Sequence, residues 1–206
     1  MWGSSSLEKV LLATNNQGKA RELSSLIGGE AWEFTTPARE RINLEVEETG
    51  NTFEQNAILK ATAFAHASNL IALADDSGLE VDALDGAPGV FSARYAGSQA
   101  SDKERNDYLI SRLDGVPWEK RQARFRCVIA IVSNDDEAVL CKGECPGIIA
   151  FEPKGDNGFG YDPIFWLPEF GKTMAEITLE KKNEISHRGK AARQAQLHLA
   201  ACLRSE

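Results

Sequence analysis

Two aspartates stand side by side in ALADDSGLE, Asp75 and Asp76, at the end of an apolar run. Adjacent carboxylates repel, and neither tolerates a core without a partner. Along a strand they point to opposite faces, so one is free to reach a cleft while the other bonds within a turn. Open α/β sheets carry their sites at the carboxyl ends of strands, where this pair is expected. An Asp–Ser–Gly turn is the plain alternative, although it explains one aspartate and not two.

Three further polar clusters bear on the same question. TNNQGK, Thr14 to Lys19, falls between an apolar strand and a helix. Backbone N–H groups at a helix start suit a phosphate, with Lys19 adding a point charge. An Asn cap and a solvated lysine fit the same letters equally well, and the spacing is not that of a Walker A loop. LEVEETGN supplies Glu45, Glu47 and Glu48, with Asn56 and Lys60 one turn apart on the next helix. By itself such an acidic loop reads as solvated surface. Finally, FGYD (Phe159 to Asp162), Lys182 and SHRGK (from Ser186) combine an aromatic ring with cations. His187 and Arg188 fall at a helix start, an unfavourable place for positive charge unless an electronegative ligand compensates. Phosphate donors, acidic metal ligands, an aromatic platform and planar hydrogen-bonding groups together fit a nucleoside triphosphate with Mg²⁺.

The elements that must position these groups alternate. A strand is expected over Lys9–Ala13, a helix over Gln17–Ile27 with Ala20, Leu23 and Ile27 buried, and a strand over Trp32–Thr36. Thr52 opens a helix running to Ser68, with Gln55 completing a capping box. The strand Leu70–Ala74 ends at the Asp pair, and a helix spans 101–113. Two long β runs, Gln122–Ser133 and Glu137–Phe151, join through Asn134–Asp136. A helix after Ser186 buries Ala192, Ala195, Leu199 and Cys202. The class is α/β with a mixed central sheet.

The chain has 206 residues and a net charge of −8, which argues against nucleic acid or an anionic membrane as the main partner. No apolar run approaches spanning length, and the start lacks the core of a secretion signal. Four cysteines, Cys127, Cys141, Cys145 and Cys202, read as ordinary thiols in a reducing cytoplasm.

Five stretches carry a resemblance: LLATNNQGKARELSSLI, EETGNTFEQNAILKA, ADDSGLEVDALDGAPGVFSARYAG, GFGYDPIF and ISHRGKA. In this order and over nearly the whole chain, they are similar to the inosine/xanthosine triphosphate pyrophosphatase family of bacterial type. The resemblance implies one domain over residues 1–206, elongated and two-lobed around a central substrate cleft, and a cytoplasmic homodimer. It implies Mg²⁺-dependent hydrolysis of ITP, dITP and XTP to the monophosphate and pyrophosphate. Deaminated bases would thereby be kept out of DNA and RNA. No stable nucleic-acid complex and no membrane partner are expected.

Residue by residue, Thr14, Asn15, Asn16, Gln17, Gly18 and Lys19 look like the triphosphate loop, with Lys60 at the phosphate end. Asp76 looks like the catalytic carboxylate and a metal ligand, and Ser77 like a substrate contact. The metal-binding glutamate falls in EETG, assigned to Glu47 with Glu48 as its rival. Phe159, Gly160, Tyr161, Asp162, Lys182, His187 and Arg188 match the base-recognition set. The family often has Glu where this chain has Gln55, which loses a charge but still completes the capping box, so a small effect is expected. A Maf-like pyrophosphatase and a nucleotide sensor without turnover are the competing readings. SHRGK and GFGYDP oppose the first, and the intact acids oppose the second.

Overall fold

The computed structural model describes residues 7–29, 31–133 and 138–202. Among them one seven-stranded sheet runs in the order β2-β1-β3-β4-β5-β6-β7. The strands are β1 (Glu8–Leu12), β2 (Trp32–Thr35), β3 (Ile71–Val81), β4 (Gln122–Val132), β5 (Ala138–Ile149), β6 (Phe165–Leu167) and β7 (Lys172–Thr173). β1 pairs in parallel with β2 and with β3, whereas β6 is antiparallel to both β5 and β7. The sheet is therefore mixed, as expected. The Asn134–Asp136 turn lies outside the described residues.

The chain divides into two compact units, and three strands run through both. The first comprises the chain up to Asp76, Val128–Lys142 and the residues from Ala191 onward. Its parallel β1 is fully apolar and buried from Val10 to Leu12. α1 (Gln17–Ile27) packs through Ala20, Leu23 and Ile27, the stripe its 3.6-residue period dictates. α2 (Phe53–Ser68) starts where Thr52 accepts the Gln55 N–H at 3.2 Å. Gln55 returns not to Thr52 but one residue further, its Oε1 accepting the Asn51 N–H at 2.7 Å. In α5 (His187–Cys202), Ala192, Ala195 and Leu199 are buried, but Cys202 is exposed.

The second unit comprises Ser77–Cys127 and Gly143–Lys190. Its core gathers Leu79, Val81, Leu109, Phe125, Ile149, Ile164 and Phe165. α3 (Asp102–Arg112) opens with a full capping box between Ser101 and Glu104. Its far end is tied to β5 by Arg121, which is 2% exposed. That guanidinium donates to the carbonyls of Leu113 (3.1 Å), Ile149 (2.8 Å) and Ala150 (3.2 Å). Carbonyl acceptors in such number make a buried cation tolerable. α4 (Leu179–Ile185), absent from the sequence reading, is a seven-residue helix capped by Thr178.

One correction concerns the Asp pair. The strand does not stop at Ala74 but continues through Asp75 and Asp76 to Val81. The alternation of faces holds, and each carboxylate finds a cation on its own side, so the strand has no need to end.

Candidate active site

In the first unit the Asp pair is divided between two lysines. Asp75 Oδ2 lies 3.4 Å from Lys19 Nζ. On the other side of the strand, Asp76 Oδ2 accepts a hydrogen bond from Asn56 Nδ2 at 3.0 Å. Asn56 is fully buried, and its Oδ1 accepts the Gly50 N–H at 2.8 Å. One side chain thus fixes both the aspartate and the end of the EETG loop. Gly50 is required there, because a Cβ would fall 2.6 Å from Gln55 Cβ and 2.7 Å from Asn56 Oδ1.

Lys60 collects the remaining charge. Its Nζ donates to Glu48 Oε1 at 2.6 Å and to the Asp75 carbonyl at 2.7 Å, and lies 3.9 Å from Asp76 Oδ1. Burial alone would lower its pKa, but Asp75, Asp76 and Glu48 more than offset this and raise it. The Asp76 carboxyl is held above its ordinary range, first by burial, against the opposing pull of Lys60 and Asn56. The nearby Glu48 charge pushes it the same way. Between the two rival glutamates, Glu48 is the one that reaches Lys60, while Glu47 is exposed.

The Thr14–Lys19 loop shares a pocket of ≈ 270 Å³ with Glu48, Lys60 and Asp75, and Thr14, Asn15, Asn16 and Lys19 line it from the loop side. Of the two readings left open for this loop, the Asn cap is realised. Asn16 Oδ1 accepts the N–H groups of Gly18 (2.9 Å) and Lys19 (3.1 Å). Those donors are therefore already paired, and Lys19 Nζ, the Thr14 hydroxyl and the Asn amides are what the loop offers an anion. Asn15 ties the loop to Leu44 O at 3.2 Å. Gln17 lines a neighbouring pocket of ≈ 610 Å³ with Arg21 and Arg39, to which the described residues contribute no carboxylate.

The second unit holds the other predicted set. Phe159 is half exposed, with Lys182 Nζ 4.6 Å and Arg188 Cζ 5.0 Å from its ring centroid. Asp162 is buried, its Oδ2 accepting the Phe159 N–H at 2.9 Å and Lys182 Nζ at 2.5 Å. Gly158, at φ 78°, has to be glycine, since a Cβ would lie 2.0 Å from Asp162 Oδ2. Arg188 Nη2 donates to Ser77 Oγ at 3.1 Å. His187 is buried and stacks on Phe125, centroids 4.8 Å apart and planes within 15°. Ser186 Oγ accepts the Gly189 N–H, so the helix start is capped as well as cationic. Tyr161 belongs to the core instead. Burial raises its hydroxyl pKa, and the hydroxyl donates to Ser92 O at 2.8 Å.

Gly50 is a residue with a role here that the sequence does not single out, and Asn56 is marked in the sequence without a role assigned to it. The signal for Asn56 was its one-turn spacing from Lys60.

The first unit thus presents lysines and carboxylates around a polar pocket, and the second an aromatic ring among cations. The fold that carries them is a mixed α/β one. The chain belongs to the Ham1 family, whose model matches residues 10–198. It is similar to the dITP/XTP pyrophosphatase of Desulforamulus reducens, 52% identical over 187 residues covering 91% of this chain and 93% of the relative. The dITP/XTP pyrophosphatase of Listeria monocytogenes serotype 4b is 50% identical over 194 residues, 94% of this chain and 96% of that protein. Among solved structures, a HAM1 protein from Coxiella burnetii matches with TM-score 0.88 and 44% identity, covering 95% of this chain and all of the other. The Staphylococcus aureus Ham1 protein matches with TM-score 0.87 and 43% identity over 94% of this chain and 99% of that one.

Proposed function

We propose that the protein hydrolyses dITP, XTP and ITP to the monophosphate and pyrophosphate with Mg²⁺. The observation that carries the reading is the succession Asp76–Ser77 on β3. Asp76 is held by Asn56 beside Lys60 and Glu48, and the next residue accepts from the base-type Arg188. The relatives are dITP/XTP pyrophosphatases with identity near one half over most of both chains, which supports dITP and XTP as substrates.

The donor set suits magnesium. Among the described residues, no three or more His, Cys, Asp or Glu side chains form a complete metal cage. Mg²⁺ needs none, because it takes one or two carboxylates and completes its shell with waters and substrate phosphates. Asp76 and Glu48 converge on the Lys60 ammonium, Glu48 at 2.6 Å and Asp76 at 3.9 Å. These two would hold the ion, with Glu47 as the alternative in the same loop. When bound, the ion supplies Lewis acidity toward phosphate oxygens.

The chain's own groups do the rest. Lys19 and Lys60 offset charge on the departing pyrophosphate, and the Thr14 hydroxyl and the Asn amides orient the phosphates. An acidic side chain of the Asp76 set accepts the proton of the attacking water. No covalent intermediate is required. Phe159 stacks on the base, and Lys182 and Arg188 offer donors to a 6-keto oxygen. A 6-amino group in that place would leave those donors unpaired, at about 1.5–3 kcal/mol per contact.

Among the described residues no helix is long and apolar enough to cross a membrane. The same reading puts the enzyme in the cytoplasm as a homodimer, a state that sedimentation would check. The functional test is a panel of NTPs and dNTPs with Mg²⁺, scored for pyrophosphate. Release from dITP, ITP and XTP well above that from dATP and dGTP is expected, and equal turnover of all would sink the reading.

A further inference from the structure

The half-exposed Phe159 lies in the loop between β5 and β6. Its neighbour Gly160 adopts φ 62°, a conformation that leaves the segment without a regular backbone ladder. Yet both polar groups of Gly160 are taken by one helix. The Gly160 N–H donates to Asp102 Oδ2 at 2.6 Å, and the Gly160 carbonyl accepts from Asn106 Nδ2 at 3.1 Å. Asp102 and Asn106 lie one turn apart on α3, which places their side chains on a single face. Asn106 is 4% exposed, so its bond is sheltered from competing water. The helix is fixed in turn, by Arg121 at its far end and by Arg105, which pairs with Asp102 and donates to Ala93 O at 3.1 Å.

We infer that Asp102 and Asn106 are positioning residues for base recognition. They act as a two-point bracket on Gly160 that sets the plane of the Phe159 ring against the purine. Neither touches the reacting phosphate groups in this account. Their effect therefore falls on substrate affinity and leaves the chemical step alone. The inference rests on the function proposed above, because a stacking platform matters only if a flat base is bound. Asp162 holds the loop from within by its bond to the Phe159 N–H, whereas the α3 bracket holds it from outside. A ring on a loose tip would have to be ordered at each binding event, which weakens affinity without changing any contact in the complex.

The test uses the full chain with Mg²⁺ and dITP, reading pyrophosphate release. Asn106→Ala is expected to raise KM about tenfold and to leave kcat within about twofold. The double variant Asn106→Ala/Phe159→Ala should show a KM no higher than Phe159→Ala alone, because the bracket has nothing left to aim. Asp102→Ala should raise KM similarly, and Asp102→Asn, which retains an oxygen for the Gly160 N–H, should restore it. An unchanged KM in Asn106→Ala overturns the inference, as do effects that multiply in the double variant. An Asp102→Asn as impaired as Asp102→Ala does the same, assigning Asp102 to helix stability only. A wild-type chain that releases no pyrophosphate sinks the proposed function and this inference with it, whereas turnover with unchanged KM sinks only the inference.

Discussion

Asn56 donates to Asp76 at 3.0 Å and with its other amide atom accepts from Gly50, joining two acidic segments 20 and more residues apart. A fully buried amide with both ends used cannot be removed without leaving a donor and a carboxylate short of partners. Asn56→Ala is expected to cost about 2–4 kcal/mol of stability. It should also lower kcat at least about tenfold, because Asp76 loses its orientation. Denaturant titration and pyrophosphate release check the two effects. Full activity in a folded Asn56→Ala would show that Asp76 needs no such support.

Asp76 itself makes a sharper prediction. Its carboxyl is raised above 3.8 mainly by burial, so the folded chain binds that proton more tightly than the unfolded chain does. The group therefore favours the fold in acid, and this contribution is lost as pH rises through the window above 3.8. Without metal, Asp76→Asn should melt no lower than the wild type at pH 7. With Mg²⁺ the wild type is expected to melt higher, and the variant should lose both that rise and turnover. A variant that still turns over removes Asp76 from the mechanism.

Much of this arrangement is legible in the sequence wherever a period carries it. Ala20, Leu23 and Ile27 face the core of the first unit as their spacing requires, and Thr52 caps α2. The course of β3 past Ala74 is not legible in this way. Two charges break its apolar pattern, and what makes them tolerable, Lys19 and Lys60, lies far away in sequence. α4 is short and lysine-rich, with no apolar stripe to betray it. Which glutamate of EETG turns inward is also beyond a period, because side-chain direction in that loop follows from the contact of Glu48 with Lys60. The joint role of Asn56 is tertiary in the same sense.

Arg188 combines a bond to Ser77 with a position over Phe159, and the proposed function has it read the base edge. Arg188→Ala should raise KM for dITP by about ten- to a hundredfold and shrink the dITP/dATP ratio of kcat/KM. An unchanged ratio would assign Arg188 to structure alone.

The thiols offer a check on the fold that is independent of activity. Cys127, Cys141 and Cys145 are buried and Cys202 is exposed. Burial pushes the Cys145 thiol up to about 11, which leaves about one thiolate in a thousand at pH 8. A thiol reagent should label Cys202 first, and Cys202→Ser should abolish the fast phase. Labelling of Cys145 at the rate of Cys202 would contradict its placement.

The central claim is attack of water at the α-phosphorus of a 6-keto purine triphosphate. Turnover of dITP with Mg²⁺ in ¹⁸O-water, analysed by mass spectrometry, tests it most directly. Attack at the α-phosphorus places ¹⁸O in the monophosphate and leaves the pyrophosphate unlabelled. Label in pyrophosphate, or release of orthophosphate with a nucleoside diphosphate, would contradict it.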